Sequence, residues 1–181
     1  NTPLGQAFLI PYNNKGKMEC QFQLGYKGLI DLSYRNPNMQ IITAHTVYEN
    51  DEFEYELGLN PCLNHRPTLG DRGEIRLFYG LFKLTNGGFG FEVMSKTAVE
   101  AYAREYSQSY DSSFSPWQKN FIDMAKKTVI KKALKYAPLR TDFRRAMSTD
   151  GTIKEELNED MTEVIGKDIF DTSYTEEVQE A

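Results

Sequence analysis

Cysteine is scarce in this chain, with Cys20 and Cys62 alone, and two thiols do not make the disulfide framework of a small secreted scaffold. No segment approaches the roughly 20 consecutive apolar residues needed to span a bilayer, so no membrane anchor is suggested and a reducing cytoplasm is the expected compartment. The chain starts at Asn1 rather than Met and carries no basic leader followed by an apolar stretch and a cleavage site, which reads as a trimmed fragment. Neither Gly16-Lys17 nor Gly166-Lys167 completes a Walker phosphate loop, because each lacks the earlier glycine and the following Ser or Thr. What remains is 181 residues, 40% of them hydrophobic, enough for one well-buried core with at most a small appended lobe.

The net charge of −5 conceals a sharp partition. Lys119 to Arg145 holds nine Lys or Arg against Asp123 and Asp142, a net +7, whereas residues 1–118 carry −3 and Asp150 to Ala181 carry −9. Such asymmetry points to a basic working surface beside an acidic tail, and to a polyanionic ligand. It also suggests the domain division: residues 1–149 as the working domain and 150–181 as an acidic helix and tail.

Ala7 to Tyr12 and Met18 to Leu24 are apolar runs around Asn13-Asn14-Lys15-Gly16-Lys17, which predicts a β-hairpin. Leu29, Ile30, Leu32 and Ser33 fit a short helix halted near Asn36-Pro37. Met39 to Tyr48 and the alternating Phe53, Tyr55 and Leu57 predict two strands, and Asn60 to Gly73 reads as a long loop. Asn86-Gly87-Gly88 joins Glu74 to Leu84 with Phe89 to Met94 as a second hairpin. Val99, Tyr102, Ala103 and Tyr106 then follow helical spacing. After a polar break, Ser115 and Pro116 supply a cap and first position for a helix that Pro138 ends. A further helix is expected from Asp150 to about Gly166. The fold class is therefore α+β, with antiparallel hairpins and sheet packed against helices, the longest of them basic.

In that basic helix a 100° projection from Lys126 places Ile122, Val129, Ile130, Ala133, Leu134 and Ala137 in one apolar arc. Lys127, Lys131 and Lys135 form a ridge outside it, spaced about 6 Å per step, and Lys126 falls within the arc, where a bare charge must snorkel or meet an anion. A solvated helix face accounts for the same ridge, and Trp117 suits a core anchor as well as a base-stacking platform. Basic side chains interleaved with aromatics and glycine recur at Tyr26-Lys27-Gly28, Tyr34-Arg35 and Arg72-Gly73-Glu74-Ile75-Arg76. These groups suit sequence-independent contact with sugar-phosphate, although turn glycines and surface arginines explain them too. Cys20, His45, Cys62 and His65 formally make a zinc set, yet only Cys62-Leu-Asn-His65 is compact. Asp71, Glu74 and Glu92 are the nearest candidates for a metal-dependent nuclease, without diagnostic spacing. No metal or cofactor is expected.

The chain resembles the RecT family of phage single-strand annealing proteins. The resemblance is carried by AFLIPY at Ala7–Tyr12, QFQLGYKGLIDL at Gln21–Leu32, FEYELGLNP at Phe53–Pro61, FYGLFKLTNGGFGFEVMSK at Phe78–Lys96 and SPWQKNFIDMAKKTVIKKALKYAPL at Ser115–Leu139. It implies ATP-independent annealing of complementary strands by a ring or filament of subunits in a bacterial host, without NTP hydrolysis, beside a phage exonuclease and a host single-strand binding protein. It implies a DNA groove lined by Lys126, Lys127, Lys131 and Lys135, with Trp117 and Lys119 at the helix start and Tyr26, Lys27 and Arg35 opposite; Arg72, Arg76 and Lys96 complete the candidate DNA-binding set. A nuclease, or an adaptor using the basic helix to hold an acidic protein, are the competing readings. The acidic tail would compete with DNA, recruit a partner or act as a plain solubilising helix.

Overall fold

The computed structural model describes residues 5–14, 16–107, 110–113, 115–138, 152–154 and 166–168. They fall into two compact units. The first is an antiparallel sheet in the order β1-β2-β8-β9, built from Ala7–Asn14 (β1), Lys17–Leu24 (β2), Thr152–Lys154 (β8) and Gly166–Asp168 (β9). Its first hairpin is the expected one: Asn14 pairs with Lys17, and Gly16 takes the positive φ of +90° that the tight turn requires. The helix expected from Asp150 is not found at Thr152–Lys154, where β-branched Thr152 and Ile153 lie in a strand and Ile153 pairs with Gln21. The rest of that expected helix and the acidic end lie outside the described residues.

The second unit runs from Tyr26 and is centred on a sheet in the order β3-β6-β7, made of Met39–Tyr48 (β3), Ile75–Leu84 (β6) and Phe89–Ser95 (β7). The period of two sorts β6: Phe78 and Phe82 turn to one face and Leu77, Tyr79 and Leu81 to the other. Helices cover the Phe78 face. They are Tyr26–Tyr34 (α1), Lys96–Tyr106 (α2), Pro116–Lys119 (α3) and Phe121–Leu134 (α4). Phe78, Met94, Val99, Ala103, Trp117, Ala125 and Val129 form the core between them. Glu52–Glu56 (β4) and Cys62–Arg66 (β5) pair only with each other and lie on the opposite face, Phe53 stacked on Tyr79 at 5.5 Å.

β5 corrects the expected loop at Asn60 to Gly73. Its sequence lacks a β-branched residue, so the strand is set by pairing with β4 and by burial of Leu63 and His65 against the sheet, not by local propensity. The basic helix is likewise two helices. Ser115 Oγ accepts from the Trp117 N–H and Pro116 takes the first position as expected, but Asn120 leaves helical geometry at φ −136° and ψ 49°. That break brings Trp117 and Phe121 into one core at a ring separation of 6.1 Å.

Helix α4 crosses β6 where a glycine lets the two backbones meet. A Cβ on Gly80 would stand 2.8 Å from the Val129 carbonyl carbon and 2.9 Å from the Ile130 nitrogen, and both of those atoms are backbone. Gly80→Ala is expected to destabilise the protein by about 1–3 kcal/mol through overpacking, read as a lower midpoint in urea unfolding. An unchanged midpoint would show that helix and strand separate freely.

Candidate nucleic-acid interface

Helices α1 and α4 run side by side in the same direction. At the start of α1 the Tyr26 ring centroid lies 5.9 Å from the ammonium of Lys126, in the second turn of α4. At their far ends Asn36 Nδ2 donates to the Pro138 carbonyl at 2.9 Å. Tyr34, from the last turn of α1, accepts the Ile42 N–H at 3.3 Å and so ties α1 to the edge of β3. Lys27 on α1 and Arg35 just past it are exposed, as is Lys135 just past α4; Lys126 and Lys131 are half-buried. Of the candidates, Tyr26 and Lys27 belong to α1 and Arg35 follows it, Lys126 and Lys131 belong to α4 and Lys135 follows it, and Tyr26 and Lys126 are in contact.

The lysine ridge is not an open row. Lys127 is 8% exposed: α4 packs against α1 and α3 as well as against the sheet, and a projection that assumes one buried face places it outside. Val129, Ile130, Ala133, Leu134 and Ala137 are buried as the projection expects, but Ile122 is exposed and Ala125 and Thr128 are buried in its place. Lys126, expected inside the apolar arc, meets a ring face instead of an anion; a cation over an aromatic quadrupole is stabilised without a counter-charge. Its charge, after burial and His65, helps push His45 below the ordinary histidine range. Burial, with Asp123 second, pushes the Tyr26 phenol up.

Trp117 is 7% exposed within the core, so no open indole face is available for a base. Trp117→Ala is expected to cost about 3–5 kcal/mol of stability, measured by thermal unfolding; a melt identical to the parent would restore the stacking role. Arg76 lies on β6 and Lys96 opens α2, next to the paired Leu77 and Ser95. Lys119 is exposed at the end of α3.

Arg72 belongs to a different assembly, one that sequence reasoning missed. Asp51, its carboxylate out of contact with solvent, takes Arg72 Nε at 2.9 Å, a second bond from Arg72 Nη2, His65 Nε2 at 3.2 Å and the N–H groups of Tyr48 at 2.9 Å and Thr68 at 3.0 Å. His65 Nδ1 meets the Tyr79 hydroxyl at 3.1 Å, and the Arg72 guanidinium lies over the Tyr48 ring at 4.2 Å. The Arg72 hydrogen bonds hold the Asp51 carboxyl well below the usual carboxylate range, against the opposing effect of burial, with the Tyr48 and Thr68 amides and His65 adding to them. An arginine committed in this way fixes the β4–β5 ribbon to the sheet and has little left for a phosphate. The only local signal was Asn50-Asp51 after a strand, a turn-forming pair. Lys132 was also missed: its ammonium stands 4.0 Å from Glu92 and 5.2 Å from the Tyr102 ring.

The sequence model of the RecT family matches residues 1–165. The chain belongs to the RecT family. A RecT-family relative, Protein RecT of Escherichia coli strain K12, is 37% identical over 151 residues, covering 81% of this chain and 55% of that protein. The uncharacterized protein YqaK of Bacillus subtilis strain 168 is 29% identical over 181 residues, 96% of this chain and 60% of that one. The chain thus spans somewhat over half the length of the curated relatives it matches. The match includes both the α1 segment and the α4 segment on which the basic side chains gather. No described helix is long and apolar enough to cross a membrane.

Proposed function

We propose that this chain binds single-stranded DNA without sequence preference and anneals complementary strands in phage recombination, without ATP and as a homo-oligomer. Membership of the RecT family carries the reading. The α1–α4 pair supports it, because two helices held side by side offer exposed Lys27, Arg35 and Lys135 with half-buried Lys126 and Lys131 as a basic surface. Annealing requires that the first strand be held by its phosphates while its Watson–Crick edges stay open to a partner. Cations on a rigid support meet that demand. The acidic C-terminal segment, of which Thr152–Lys154 and Gly166–Asp168 belong to the sheet of the first unit, modulates DNA access, recruits the exonuclease or host single-strand binding protein, or serves solubility alone.

Incubating two complementary labelled oligonucleotides with the protein, in EDTA and without ATP, should yield duplex faster than the strands pair alone. Magnesium-dependent cleavage would establish a nuclease instead, and neither product would favour an adaptor for an acidic protein.

A further inference from the structure

The β4–β5 ribbon ends in side chains that the protein leaves in water. Leu57 is 68% and Leu59 100% exposed, on either side of Gly58, whose φ is +125°. A two-stranded ribbon is marginal in water by itself, and this one is held by the Asp51 cluster at its base and by Phe53 on Tyr79. It therefore presents its apolar tip from a firm support.

A complementary row lies on the same face of the β3-β6-β7 sheet. Register sets Ile41, Lys83 and Phe89 abreast across the three strands. The ribbon leaves this row open: Tyr55 reaches Phe91 at 6.5 Å, but Phe89 remains 49% and Ile41 41% exposed. The charges match as well. Glu54 and Glu56 beside the tip, and Lys83 in the row, are exposed and have no ion pair among the described residues.

We infer that the Leu57–Leu59 tip of one copy docks on the Ile41–Lys83–Phe89 row of a second copy, with Glu54 and Glu56 facing Lys83. Donor and acceptor are different surfaces, so the contact is head-to-tail and leaves each end able to add another subunit. This rests on the homo-oligomer of the proposed function and names its joint. Aromatics with a lysine also suit nucleobases, but the exposed glutamates beside the tip supply the negative partner that Lys83 lacks among the described residues of its own chain.

The test uses the full chain with and without a single-stranded oligonucleotide, its mass read by light scattering. Leu57→Glu with Leu59→Glu removes the donor, and Ile41→Glu with Phe89→Glu removes the acceptor. The parent should assemble beyond a dimer and each variant should be monomeric. An equimolar mixture of the two variants should give 1:1 dimers and nothing longer, since one productive pairing remains. A monomeric parent, variants that assemble like the parent, or a mixture that stays monomeric would each overturn the joint. So would an acceptor variant that assembles normally but loses oligonucleotide affinity, which would assign the row to bases. Cross-linking reports without relying on disruptive substitutions: Lys83→Cys in a Cys20→Ser background should form intermolecular disulfides through Cys62, which pairs with Glu56 near the tip, and an unlinked product counts against docking. Oligonucleotide anisotropy of the parent separately tests the annealing reading, whose failure would leave the mass results standing.

Discussion

Asp51→Ala should lower stability by about 3–5 kcal/mol, the usual cost of removing one member of a buried ion pair and as much as the loss of Trp117. The carboxylate is wholly buried and answers Arg72, His65 and two backbone amides at once, so its loss leaves several donors unsatisfied. For a chain of this length the melting temperature should fall on the order of 10 °C. The pH dependence follows from the depressed carboxyl. Its folded pKa lies below the unfolded value of about 3.9, so the stabilisation is complete above that value and drains away as pH falls through it towards the folded one. Urea unfolding of parent and variant should therefore differ most near neutral pH and converge in acid. A constant gap down to the acid limit would mean that the charge of Asp51 does not matter.

The largest effect on binding is expected from Lys27→Gln, Arg35→Gln and Lys135→Gln together. All three side chains are exposed, and Arg35 has only an exposed 3.5 Å pairing with Asp31 to lose, so the fold should move by less than about 1 kcal/mol. Each phosphate contact removed takes about 0.7 from the slope of log affinity against log salt on single strands. The triple variant should bind a single-stranded oligonucleotide more weakly, with a slope shallower by about two. Equal slopes for parent and variant would remove these three groups from the interface. Lys127 is left intact deliberately: at 8% exposure, a carboxylate in its place would test folding more than binding.

Local chemistry in the sequence announced most elements. The turn glycines at Gly16 and Gly87, the Ser115-Pro116 helix start and the β-branched run at Ile41, Ile42, Thr43, Thr46 and Val47 each carry their own geometric instruction. What stayed hidden depends on partners distant in the chain. β5 exists because β4 lies beside it, and the break at Asn120 serves a core assembled from Phe78, Val99 and Trp117. At the candidate site, the projection of α4 supplied Val129, Ile130, Ala133, Leu134 and Ala137 correctly but misplaced Ile122 and assumed one covered side. Lys127 was misplaced for that reason, and Arg72 could not be separated from phosphate-binding arginines until Asp51, 21 residues away, was seen to hold it.

The tie between Asn36 and Pro138, with the Tyr26–Lys126 contact at the opposite end, makes the α1–α4 pair behave as a ruler. For a strand bound there as proposed, the two helix backbones are already set side by side, the ordering penalty of association falls mainly on the polynucleotide, and stiffening the strand, not the helices, is the route to tighter capture.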